Sequence, residues 1–245
     1  MAADREEYNR NIDVAQADAA MSLKTWWALV FIYPLARPLT VFIVNRTCIS
    51  PNQVTFCAMG LRAITVLCFW QGSRLGLLVG AVAYYLAYVC DCTDGTVARL
   101  TGKTSELGRY LDHVADLVGD LVILLVLAGS QGLLPSPMVF GMVFMHVAEC
   151  YISYLGGFAI SNMDQEKSSF FLFELINRYR RWWFEKNIKS FFSFPDYTAL
   201  VFVLFPLLGM PAAGLQVGFY FLLFIVFYTV LSTFVSLHTG ERRFP

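Results

Sequence analysis

The chain has 245 residues, 57% of them hydrophobic and 15% charged, with eighteen basic side chains balancing eighteen acidic ones. A net charge of zero offers no electrostatic footprint for nucleic acid, which is excluded as a partner. Mean hydropathy is +0.57, and several apolar runs reach the roughly 20 residues that a bilayer crossing takes, so the class is integral membrane protein.

Residues 1–21, MAADREEYNRNIDVAQADAAM, are polar and lack the apolar centre of a cleavable signal; they read as a mobile or surface-bound tail. Residues 22–46 contain Pro34, Arg37, Pro38 and a tryptophan pair, Trp26-Trp27. They read as an amphipathic helix lying in the interface, kinked at its prolines. Six spans follow, at 53–71, 75–95, 107–128, 136–160, 196–212 and 215–238, most of them separated by breaks such as QGSR, GSQGLLPS and GMPAAG. The runs do not alternate polar with apolar, so closed helices rather than a barrel must satisfy the backbone in lipid. The expected fold is all-α: six transmembrane helices forming a catalytic domain over 47–245, with a cytosolic segment at 161–195.

Lys and Arg placement gives an orientation. With both ends cytosolic, one side receives Arg99, Lys103, the basic 161–195 segment, Arg242 and Arg243, and the other receives only Arg74. The stretch RYRRWWFEK, Arg178–Lys186, suits a helix on an anionic membrane surface; a cap over the active site is the alternative. The six cysteines are scattered without a CxxC pair and read as apolar fillers.

The chemistry lies in Asp91–Asp120, DCTDGTVARLTGKTSELGRYLDHVADLVGD. Asp91 and Asp94 are three apart and Asp112 and Asp116 four apart, so each pair shares a helix face. The short link Gly102–Ser105 makes the two helices antiparallel neighbours, with Thr104 or Ser105 as cap. Four carboxylates brought together in low dielectric repel strongly. Only Arg99 and Arg109 are near in sequence, so one or two hard cations, Mg²⁺ or Mn²⁺, are expected between them. A two-metal site suits displacement at phosphorus. Gly95, Ala98 and Gly108 either let helices pack closely or leave room for a flat ligand. Arg99 either snorkels or clamps a phosphate. Cys90 and Cys92 are too soft for Mg²⁺, and His113 points away from the aspartate face.

The pattern Asp91-x-x-Asp94-Gly95-x-x-Ala98-Arg99, eight residues, Gly108-x-x-x-Asp112-x-x-x-Asp116 resembles the signature of the CDP-alcohol phosphotransferase family at all eight positions. ISPNQVT, Ile49–Thr55, resembles that family's approach to its first transmembrane helix. The resemblance implies transfer of a phosphoalcohol group from a CDP-alcohol to a hydroxyl acceptor with release of CMP. Asp91, Asp94 and Asp112 would ligate a metal pair, and Asp116 would act as general base while touching a metal. Asp94, Gly95 and Ala98 would border the CDP, with Arg99 near the diphosphate and Gly108 permitting close approach. It also suggests a homodimer. CDP-diacylglycerol with a polar alcohol such as inositol phosphate, glycerol phosphate or serine is the favoured substrate pair. Asp112-His113 resembles members that use CDP-choline or CDP-ethanolamine with diacylglycerol.

A second polar layer comprises Arg62, Asp120, His146 and Glu149, which read either as an ion-pair network or as the floor of an acceptor pocket. Two rival readings are an intramembrane prenyltransferase, against which Gly95-x-x-Ala98-Arg99 argues, and a divalent-cation transporter.

Overall fold

The computed structural model describes residues 11–22, 24–161, 171–189 and 191–239. Lys167, Arg242 and Arg243 lie outside the described residues. Among those described there is no strand, only a one-residue parallel bridge between Lys24 and Ile188.

Helix α1, Val14–Ala20, falls within the segment expected to be a tail. Asp13 and Gln16 form a capping box at its start. Helix α2 runs Ala28–Arg46, opening with a π-helical turn at Ala28–Ile32. That turn ends two residues before Pro34. The same arrangement recurs in α8, Phe194–Leu207, where the π turn Leu200–Leu204 ends two residues before Pro206. Proline lacks an N–H and crowds the carbonyl four residues back. The wider π ring ahead of it lets each helix continue rather than break.

Helices α3, Pro51–Trp70, and α4, Arg74–Thr101, pack closely. A Cβ on Gly76 would lie 2.5 Å from the Cys68 carbonyl oxygen, and one on Gly80 would lie 2.6 Å from the Phe69 ring. Helix α5, Glu106–Ser130, lies antiparallel to α4, and α6, Pro137–Ser161, packs on α9, Pro211–Thr239. Phe69, Tyr84, Leu124, Met142, Tyr197, Phe202 and Leu222 join these helices in one core.

Five helices are long and apolar enough to cross a membrane: α2, α3, α4, α6 and α9. Phe56, Leu67, Phe144, Phe158, Phe227 and Phe234 all face outward. Lipid, not water, is the solvent that suits such a surface, and the protein is a multi-pass membrane protein. Two of the expected six spans are not among these five. Helix α5 has the length but carries Glu106, Arg109, Asp112, Asp116 and Asp120 in its first fifteen residues; α8 is shorter. Conversely, α2, expected to lie in the interface, has the length and composition to cross.

Helix α7, Phe171–Phe184, meets the N-terminal segment. Lys24 N–H donates to the Asn187 carbonyl at 3.0 Å, and Lys189 N–H donates to the Lys24 carbonyl at 2.8 Å. Trp26 and Trp183 stack edge to face at 4.9 Å. One residue on, Trp27 N–H donates to Asp196 Oδ1 at 2.7 Å, while Asp196 Oδ2 accepts from the Ser193 amide and hydroxyl. The sequence offered no sign that Asp196, buried at the start of α8, had this role.

Candidate active site

Local chemistry sets where each functional side chain stands. Ser50 and Gln53 form a capping box and Pro51 opens α3, which places Asn52 and Thr55 in its first turns and Arg62 three turns in. Helix α4 ends at Gly102, whose φ of 68° is a left-handed conformation open to glycine, and Lys103 N–H closes the helix on the Ala98 carbonyl. Ser105 then caps α5 by accepting from the Gly108 amide at 3.0 Å. A Cβ at Gly108 would sit 2.9 Å from that Ser105 oxygen, so glycine keeps the cap.

Asp91 lies ten residues from the end of α4, Asp116 ten from the start of α5 and Arg62 eleven from the start of α3. At ~1.5 Å per residue the three reach one depth. Carboxylate oxygens of Asp91, Asp112 and Asp116 come within 4.8 Å of one another. Arg62 ion-pairs with Asp116, and the same Nη2 lies 3.6 Å from Asp91. A Cβ on Gly119 would meet Arg62 Cδ at 3.3 Å, so this glycine gives the arginine its path. Asp94 stands apart from the trio, accepting from the Thr55 hydroxyl at 2.5 Å. The clustered oxygens are hard donors at a spacing that suits a divalent cation.

Above the carboxylates opens a cavity of about 580 Å³. Asp94, Gly95, Ala98, Arg99 and Gly108 all line it, joined by Asn52, Thr55, Lys103, Arg109 and Asp112. The Arg99 guanidinium lies back over Gly95, where a Cβ would come within 3.3 Å of Nη1. A second cavity of about 460 Å³, largely apolar, runs between α3 and α5 along Phe56, Met59, Val66, Leu111, Val118 and Val122. Asn52, Thr55 and Gly108 line both.

The sequence model of the CDP-alcohol phosphatidyltransferase family matches residues 48–236. The chain belongs to this family. Among curated CDP-alcohol phosphatidyltransferases and their kin, it is 32% identical to CDP-diacylglycerol–inositol 3-phosphatidyltransferase 1 of Arabidopsis thaliana, over 51% of this chain and 54% of that one. It is 29% identical to a CDP-diacylglycerol–glycerol-3-phosphate 3-phosphatidyltransferase of Rickettsia bellii, over 39% of this chain and 54% of that one. It is 31% identical to the archaetidylinositol phosphate synthase of Pyrococcus horikoshii, over 33% of this chain and 41% of that one. The chain thus spans about half the length, or less, of these relatives.

Within this member of the family the second polar layer is dispersed. Arg62 turns to the carboxylates. Asp120 accepts from the Tyr84 hydroxyl at 3.0 Å. Glu149 accepts from Ser153 at 2.9 Å and faces Thr229 on α9. His146 is fully buried edge-on to Phe194 and Tyr197. Only Arg62 of the four lines either cavity. Thr55 and Asn52 also belong to the cavity walls; their signal in the sequence is the ISPNQVT stretch, which fixes the start of α3.

Proposed function

We propose that the protein transfers a phosphatidyl group from CDP-diacylglycerol to a small polar alcohol and releases CMP. The observation carrying this reading is the junction of the two cavities at Asn52, Thr55 and Gly108, beside the three carboxylates. A polar chamber bearing Arg99, Lys103 and Arg109 suits a nucleotide diphosphate. An apolar groove open to lipid suits hydrocarbon tails. A molecule with both parts attached would lie across the junction with its diphosphate near the aspartates. The relatives' names agree, since they specify CDP-diacylglycerol with inositol or glycerol-3-phosphate.

In this reading Gly95 and Ala98 border the nucleotide, and Gly108 lets it approach α5. Arg99 holds the diphosphate. Asp91, Asp112 and Asp116, with Asp94 from the cavity side, would hold two Mg²⁺ or Mn²⁺ ions, which supply Lewis acidity at phosphorus when bound. The acceptor oxygen bonds to the β-phosphorus, the bond from that phosphorus to the bridging oxygen breaks, and CMP departs with the electron pair. Asp116 takes the acceptor proton. Of the two carboxylates beside Arg62 it is the more accessible, its side chain 40% exposed against 15% for Asp91. The site and both termini face the cytosol in this reading, where Lys and Arg concentrate.

The test is a panel of CDP-alcohols against hydroxyl acceptors, with purified protein and CMP as readout. CMP release from CDP-diacylglycerol that needs both a divalent cation and an acceptor is expected. Release from CDP-choline with diacylglycerol alone would reverse the donor assignment. Metal flux into sealed liposomes without any CMP release would replace the enzyme by a transporter.

A further inference from the structure

We infer that the N-terminal helix α1 is part of the donor site: the Ala20 carbonyl at its C-terminal end holds Arg99 in the nucleotide cavity, and Asp18 fixes α1 in place to do so. The inference rests on the reading of that cavity as the donor site. Helix α1 precedes the region matched by the family, which begins at residue 48. It is therefore a feature of this chain beyond the shared motif.

Seven residues are too few to hold a helix alone, since isolated helices shorter than about 12–15 residues are marginal in water. Helix α1 persists because the rest of the protein grips it. Ala17 is fully buried, and Met21 packs with Ile32, Tyr33 and Val89. At its near end, Ile12 exchanges two hydrogen bonds with the Asn45 side-chain amide, at 3.0 and 2.8 Å. At its far end, Asp18 ion-pairs with Lys24 at 2.7 Å and with Arg37 at 2.6 Å. Two cations from two directions make Asp18 the fixing residue.

The last carbonyls of a helix lack partners within it and carry partial negative charge. Ala20 offers one such carbonyl, and Arg99 Nε donates to it at 2.7 Å. Arg99 also donates from Nη2 to the Thr96 hydroxyl, at a longer 3.3 Å. The Nε contact therefore sets the plane of the guanidinium and leaves Nη1 over Gly95, at the cavity wall. Without α1 a long, exposed arginine would sample many rotamers, and ordering it would be charged against donor binding.

The experiment is steady-state kinetics on purified protein with CDP-diacylglycerol and its acceptor, comparing Asp18→Ala, Arg99→Ala and the double variant. Asp18→Ala is expected to raise KM for the donor roughly three- to tenfold, as for loss of one pre-ordered side chain, with acceptor KM unchanged. In the Arg99→Ala background Asp18→Ala should have no further effect on donor KM, because α1 acts through Arg99. An unchanged donor KM in Asp18→Ala, or fold-changes that multiply in the double variant, overturns the inference. Should Asp18→Ala fail to fold, Asn45→Ala, which frees only the Ile12 end, carries the same expectation and the same contrary result. A wild-type protein that releases no CMP from any CDP-alcohol overturns the donor-site reading and this inference with it. A turning-over wild type with indifferent variants overturns the inference alone.

Discussion

Arg62 of α3 ion-pairs with Asp116 of α5 at the depth where Asp91 of α4 approaches the same guanidinium group to 3.6 Å. One arginine thus ties three helices and offsets part of the charge that the aspartates bring together. Arg62→Met keeps the bulk and removes the cation. Breaking a buried pair from one side costs about 3–5 kcal/mol, so the metal-free variant should melt well below wild type. Adding Mn²⁺ should then raise the melting temperature of Arg62→Met more than that of wild type. Equal gains in the two proteins would show that arginine and metal do not share the same carboxylates.

Asp116 and Asp91 are both placed beside Arg62, yet only Asp116 is assigned the acceptor proton. Asp116→Asn is expected to lower kcat by about 10²–10⁴, the usual contribution of a general base, and Asp91→Asn should also abolish most turnover through the metal site. If Asp116→Asn turns over almost normally while Asp91→Asn does not, another group takes the proton.

Gly95 and Gly119 make room for arginines rather than for backbone. A Cβ at either would stand 3.3 Å from the flexible part of Arg99 or Arg62. Gly95→Ala should therefore fold normally and raise donor KM by displacing Arg99. Gly119→Ala should instead reduce thermal stability and kcat together, because Arg62 is confined by its ion pairs. Matching kinetic profiles for the two variants would contradict this division.

The apolar groove can be narrowed from its walls. Met59 and Val118 line it from opposite helices. Met59→Trp or Val118→Trp should raise KM for CDP-diacylglycerol while leaving a CDP-alcohol without acyl chains unaffected. A loss shared equally by both donors would place the tails elsewhere.

Asp18 lies outside the spans and gives a pH expectation for α1. Burial pushes its carboxyl upward, but the hydrogen bonds and charges of Lys24 and Arg37 outweigh that and hold it below the usual range. A carboxyl depressed by folding contributes stability above its unfolded value, about 3.9, and loses it as pH falls through the folded one. Docking of α1, followed by protease protection of residues 11–21, should be constant from pH 8 to 5 and fail only in stronger acid. Release near pH 6 would mean that Asp18 is not its anchor.

Three of the four aspartates could be brought together from spacing alone, because helix period and a four-residue link leave the two helices little freedom. The five residues expected to border the CDP do line one cavity, but that expectation came from the family resemblance; spacing alone left helix packing and ligand room equally open. Asp94 could not be separated from the others, since its hydroxyl partner, Thr55, comes from a third helix that spacing does not orient. Arg62 was matched with Asp120 and Glu149 because depth was counted from apolar boundaries near 95 and 107. Helix α4 runs on to Thr101, which lowers Asp91 to the level that Arg62 and Asp116 already shared. Glu149 faces α9 rather than the aspartates, and hydropathy carries no record of which neighbour a helix face meets. Helix α1 is an alanine-rich run of seven residues behind a capping box, too short to stand as a helix alone; what holds it, Asn45, Arg37 and Lys24, lies outside it.

Trp27 donates its amide to Asp196, 169 positions later in the chain, and Lys24 pairs with residues 187 and 189. During synthesis the ribosome must therefore deliver helices α2 to α6 before the opening segment finds its seat. Until the stretch around Ser193 emerges, residues 24–27 lack these partners, although every residue lining the polar cavity, Pro51 to Asp112, has already been made. Seating of the opening segment is thereby tied to the last third of the chain rather than to its neighbours in sequence.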